Sequence, residues 1–148
     1  MGKTAIIVED EIFVALDLER ILTDAGYSVV GIAADRSTAC DIGRGCDFAF
    51  VDINLRDGAT GPSIAATLAG EHNVKIMFVT ANPAQIGDDR QALGYVRKPF
   101  SEAAITAAAA IASGGTPLPE AANDVILFGE WSGTAFSEPN ASARRAAP

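Results

Sequence analysis

Positive charge is scarce in this chain. Eleven Lys and Arg stand against 19 Asp and Glu, leaving a formal net charge of −8. A nucleic-acid-binding surface needs a Lys/Arg patch that neutralises phosphates, so that class of partner is excluded. Cysteine is nearly missing: Cys40 and Cys46 are the only two and form no CxxC pair. They read as reduced, small core residues rather than a redox or metal site. No apolar run approaches the roughly 18 residues a membrane span requires. The opening MGKTAIIVEDE turns acidic too early for a signal peptide, and Ile6 stands where a myristoylation hexapeptide needs Ser or Thr. The expectation is a cytoplasmic protein without membrane contact. What remains is 148 residues, 49% hydrophobic and 20% charged. That suits one globular domain with a tail.

The apolar residues are organised. TAIIV (Thr4 to Val8) is a short β-branched run, a buried-strand pattern. Val14, Leu18, Ile21, Leu22 and Ala25 then recur at steps of three and four, one face of a helix that Gly26 stops. YSVVGIA, DFAFV, VKIMFVT and GYVRK are further strands. RSTACDIG is a short helix. Asp57-Gly58 is a turn, and Thr60 is placed to cap a helix with Pro62 in its first turn. NPAQIGDDRQAL falls where a fourth helix is due, but Pro83, Gly87 and Asp88-Asp89 predict a short or irregular one. Ser101 caps an Ala-rich helix that ends at Gly114-Gly115; Ala107 to Ala110 serve there as helix formers. Strands without polar alternation, alternating with helices, imply a parallel sheet covered on both faces. No internal repeat is visible. Residues 1–115 are read as the domain. Residues 116–148 are read as a tail without an independent domain, in which only VILFGEW, Val125 to Trp131, is apolar.

In an open parallel sheet, ligand sites lie beyond the carboxyl ends of the strands. Glu9, Asp10 and Glu11 follow the first strand, Asp52 the third, Thr80 closes the fourth, and Lys98-Pro99 follow the fifth. Clustered carboxylates repel, and a hard divalent cation such as magnesium is their natural neutraliser. Lys98 is a fixed positive charge able to pair with Asp52 or with a phosphoryl group on it.

VEDE, FVDINLRDG, FVTA and YVRKPF, in that order on these strand ends, resemble the receiver domain of two-component response regulators. The resemblance runs from Thr4 to about Ala112 and looks closest to alphaproteobacterial general-stress-type receivers. It implies a flavodoxin-like, doubly wound five-stranded parallel sheet, order 2-1-3-4-5, with helices on both faces. It implies that Asp52 accepts a phosphoryl group from the phosphohistidine of a sensor histidine kinase. Magnesium would be held by Asp10, Asp52 and the backbone carbonyl of Asn54, with Glu9 acting through water. Thr80 and Lys98 would grip phosphoryl oxygens, Ala81 would leave room for them, and Tyr95 would be the switch aromatic. The resemblance also implies a cis Lys98-Pro99 peptide. The chain would then be no enzyme beyond its own phosphorylation and dephosphorylation. It would act as a stand-alone receiver, through protein contact with an unnamed target or as a phosphate sink.

Plainer readings stand beside these. Asp52 alone would be a turn or cap residue, Glu9 an acid favourable to a helix dipole, Asn54 a turn residue and Tyr95 packing. His72 reads as a solvated loop residue and Arg97 as surface charge. Two other functions remain. A haloacid-dehalogenase-type hydrolase also places an Asp after a strand, but it wants a second acid where Asn54 stands. An output segment hidden in the tail would have only about 30 residues, below the size at which chains usually fold alone.

Overall fold

The computed structural model describes residues 3–87, 91–117 and 122–129. The elements in chain order are β1 (Thr4–Val8), α1 (Ile12–Asp24), β2 (Ser28–Ala33), α2 (Arg36–Gly43), β3 (Phe48–Val51), α3 (Gly61–His72), β4 (Lys75–Thr80), a 3₁₀ turn (Pro83–Gln85), β5 (Gly94–Arg97), α4 (Glu102–Ala112) and β6 (Val125–Leu127). The sheet order is β2-β1-β3-β4-β5-β6. The first five strands are parallel, and β6 runs antiparallel along β5.

The pleat splits the core in two. Ala5, Ile7, Phe48, Phe50, Met77 and Val79 point to one face and pack with α1 and α4. Ile6, Val8, Ala49, Val51, Ile76 and Phe78 point to the other and pack with Ile64, Ala65 and Leu68 of α3. Successive side chains alternate sides, so a strand covered by helices on both faces must be apolar throughout. That is the pattern the sequence carries.

Local signals are obeyed. Asp35 accepts the Thr38 amide at the start of α2, and Ser101 accepts the Ala104 amide at the start of α4. Thr60 sits at the head of α3 but does not cap it with its side chain. Its hydroxyl donates to Asp57 Oδ1 at 2.6 Å, bracing the Asp57-Gly58 turn. His72 is the half-buried last residue of α3 and not a loop residue. Cys46 is buried and Cys40 half-buried, both free thiols.

Two features depart from the regular five-fold alternation. Between β4 and β5 the chain makes only the 3₁₀ turn Pro83–Gln85 among the described residues, as the Pro and Gly there predict; residues 88–90 lie outside them. The sixth strand is an addition that five strand patterns did not include. It comes from the apolar cluster in the tail, of which Trp131 lies outside the described residues. No helix among the described residues is long and apolar enough to cross a membrane.

Candidate functional site

The ladder runs one residue past the strands and fixes the site residues to the sheet. The Glu9 amide donates to Ala33 O at 2.8 Å, that of Asp52 to Val8 O at 2.9 Å, and that of Lys98 to Thr80 O at 2.9 Å. Glu9 keeps the pleat side of Ile7, Asp52 that of Phe50 and Lys98 that of Val96, all on the α1/α4 face. Their side chains therefore meet. Thr80 has the opposite parity, that of Phe78.

Lys98 is the hub. Its Nζ stands 2.9 Å from Asp52 Oδ2, 2.8 Å from Glu9 Oε1 and 3.8 Å from Glu11 Oε1. The Glu9 carboxylate is buried. Its Oε2 accepts the Glu11 amide at 3.1 Å, while Oε1 has the charge contact to Lys98 but no hydrogen bond of good geometry. Burial pushes the Glu9 carboxyl above its ordinary range, further than Lys98 and the Glu11 amide pull it down. Burial acts against the Lys98 ammonium too, yet the close carboxylates of Glu9 and Asp52 together hold it above its usual value. Lys98 is therefore a permanent cation between two acids. Asp52 Oδ1 accepts the amide of Ile53 at 2.7 Å. Each carboxylate oxygen has two acceptor sites, so both retain one.

Glu9, Asp10 and Asp52 each offer an oxygen within 4.8 Å of the others. Asp10 is the exposed member. A buried acid oxygen without a well-directed donor, beside two further hard oxygens, fits a small divalent cation. The Thr80 hydroxyl is engaged elsewhere and accepts the Asn82 amide at 3.0 Å. Asn54 turns its side chain outward to Gln85, Nδ2 to Oε1 at 2.8 Å. Ala81 is exposed, and with Asn54, Asn82, Pro83, Gln85 and Arg97 it lines a shallow cleft of about 600 Å³. Tyr95 is half-buried against the ring of Phe128, 6.1 Å between centroids. The Lys98-Pro99 peptide is cis.

One residue at the site carries no side-chain chemistry and was not singled out from the sequence. A Cβ on Gly61 would overlap the Asp52 carbonyl oxygen and the Ile53 Cα, and the Gly61 amide donates to Ile53 O at 3.0 Å. The head of α3 thus lies against the backbone of the acid. Gly61→Ala should cost about 1–3 kcal/mol of stability, the range for overpacking. Urea denaturation of the variant checks this; an unchanged midpoint would mean the helix simply backs away. A glycine directly before Pro62 was the available signal.

The response regulator receiver domain model matches residues 5–110, and the chain belongs to that family. It is 30% identical over 112 residues to the phyllosphere-induced regulator PhyR of Methylorubrum extorquens, covering 72% of this chain and 42% of that protein. The chain spans about half or less of the length of the curated relatives it matches. Among solved structures it resembles the PhyR receiver domain of Erythrobacter litoralis, with 28% identity and TM-score 0.69 over 75% of this chain and 89% of that one. It also resembles the receiver domain of the Pseudomonas aeruginosa sensor kinase PA1611, described with magnesium in its active-site cleft. That match has 25% identity and TM-score 0.65 over 78% of this chain and 100% of that one.

Proposed function

We propose that this chain is a phosphoacceptor receiver in which Asp52 takes a phosphoryl group from the phosphohistidine of a sensor kinase. It then signals by protein contact or drains phosphate from the kinase. The observation that carries the reading is the Lys98 ammonium held 2.9 Å from Asp52 Oδ2 at the exit of β3, with Glu9 and Asp10 alongside.

The transfer balances with these groups. A carboxylate oxygen of Asp52 forms a bond to phosphorus, the phosphorus–nitrogen bond of the donor breaks, and the imidazole leaves with the electron pair and takes up a proton. Little covalent work falls to the protein; positioning and charge neutralisation dominate. Lys98 neutralises one side of the transferred group. The Thr80 hydroxyl would leave the Asn82 amide to donate to a phosphoryl oxygen, and the small Ala81 keeps the approach open. Asp10, Asp52 and the Asn54 backbone carbonyl would hold magnesium, with Glu9 contributing through water. The ion would supply the remaining positive charge facing the phosphoryl oxygens.

In this reading residues 1–115 carry the receiver, and the segment beyond, β6 included, is no independent domain. The protein works in the cytoplasm and touches neither nucleic acid nor membrane. It catalyses nothing beyond its own phosphorylation and dephosphorylation. The hydrolase alternative loses its second acid, since the residue two beyond Asp52 is Asn54 and its amide is bound to Gln85.

Phosphotransfer profiling against the sensor kinases of the source organism tests the function: one kinase should label the protein far faster than the rest, and no transfer from any would sink it. Metal binding gives an independent check. Asp10→Ala should weaken magnesium by about tenfold or more, at least the effect of losing an outer-shell partner. Because burial raises the Glu9 carboxyl, protons should compete with the metal at a higher pH than for an ordinary carboxylate. Calorimetric titration at several pH values measures both; equal affinity in the variant would remove the acidic cluster as the metal site.

A further inference from the structure

The strand β6 covers the outer edge of β5, the strand that delivers Lys98. Gly94, Tyr95 and Val96 pair with Leu127, Ile126 and Val125, and the Phe128 amide extends the ladder to Leu93 O at 2.9 Å. The approach is close. A Cβ on Gly94 would overlap the Ile126 carbonyl oxygen and crowd the Leu127 Cα, so this strand admits β6 only because residue 94 is glycine. Val125 and Leu127 join the core on the α1/α4 face, while Phe128 crosses to the other face and packs on Tyr95. The attachment is nevertheless slight. It is three residues long, Ile126 is exposed, and Leu127 and Phe128 are only half-buried.

Tyr95 and Thr80 lie on the same face of adjacent strands, with Phe78 opposite Tyr95 and Thr80 opposite Arg97 in the β4–β5 register. In the present arrangement Thr80 is bound to the Asn82 amide. A Thr80 hydroxyl turned toward a group on Asp52 would vacate its place on the face it shares with Tyr95, and the Tyr95 ring would have that place to turn into. A ring that turns inward leaves Phe128.

We propose that residues 122–129 form a cis-acting clasp, closed on β5 and Tyr95 while Asp52 is unmodified and loosened when a phosphoryl group occupies the site. The clasp rests on the phosphoacceptor reading of Asp52. It gives the tail a regulatory role without making it a domain: loading the site at one end of β5 uncovers the backbone edge along its length. Linkage makes the coupling reciprocal, so opening the clasp must favour loading by the same factor.

The test uses the full chain with magnesium and beryllofluoride, a stable mimic of the acyl phosphate. Fluorine NMR reports whether the mimic binds, and amide hydrogen exchange reports the clasp. Saturation is expected to speed exchange of the Phe128 amide at least fivefold, while amides of β1 and β3 stay protected. Phe128→Ala, a change outside the acceptor site, is expected to bind the mimic at least fivefold more tightly, matching the lower end of typical coupling. Bound mimic with unchanged exchange, or equal affinity in Phe128→Ala, overturns the clasp and leaves the acceptor reading intact. Absence of bound fluorine signal overturns the acceptor reading and the clasp with it.

Discussion

Asp52→Asn should reduce phosphoryl labelling from a kinase or from acetyl phosphate to background while leaving the protein folded. The amide nitrogen has no lone pair for attack, and the amide oxygen is a poor nucleophile without the negative charge. The shape is kept. Asp52 accepts the Ile53 amide on Oδ1 at 2.7 Å and Lys98 on Oδ2 at 2.9 Å. The single oxygen of Asn can keep one of these contacts, and its NH2, a donor, forfeits the other. Losing a hydrogen bond that involves a charged group costs about 1.5–3 kcal/mol. The loss of the neighbouring charge offsets part of it by easing the burial of Glu9, whose carboxyl is pushed up chiefly by burial and further by Asp52. Intact-mass analysis after incubation with acetyl phosphate and magnesium reads the result directly. A variant that still gains one phosphoryl group would move the acceptor to another residue, with Asp10 the first to examine.

The sequence makes the sheet legible because burial on both faces leaves a plain mark: the interiors of TAIIV, DFAFV and VKIMFVT, namely AIIV, FAFV and IMFV, are apolar on both pleat faces, with polar residues only at the ends. It makes the site legible because polar residues at the exits of such strands have no core to join. The irregular β4–β5 connection follows from Pro83 and Gly87, which a helix interior does not accept. Other features are decided by tertiary contact. The run Glu9-Asp10-Glu11 shows three acids but not which one turns inward; pleat parity with Ile7 and the position of Lys98 select Glu9, so the acid expected to act at a distance is the buried partner of the lysine. Thr60 resembles a cap, yet Asp57 is within reach of its hydroxyl and takes it. The sixth strand is only three residues long and follows a stretch rich in Pro and Ala. Its pairing is set by an unpaired β5 edge and by the missing side chain of Gly94, neither of which shows in a local pattern.

Lys98→Ala is expected to destabilise the fold by about 3 kcal/mol at neutral pH, with the deficit shrinking as pH falls. The Glu9 side chain is 1% exposed and that of Asp52 11%. Removing their shared cation leaves two adjacent acids without compensation, which typically costs about 3–5 kcal/mol for a buried pair. The site opens to water on the Asp10 side, which favours the lower figure. Burial already raises the Glu9 carboxyl and Lys98 lowers it, so without the lysine it climbs further. A carboxyl higher in the folded than in the unfolded chain holds its proton longer when folded. Below the unfolded value both states are protonated and the penalty vanishes; as pH rises toward the folded value, ionisation favours the unfolded chain and the penalty grows. Urea denaturation across that range should show the variant and the parent diverging with increasing pH. Magnesium should narrow the gap, because a cation among Glu9, Asp10 and Asp52 replaces part of the lost charge and stabilises whichever state binds it. A deficit that is the same at every pH and indifferent to magnesium would place the cost in the lost packing of the lysine stem and not in the stranded acids.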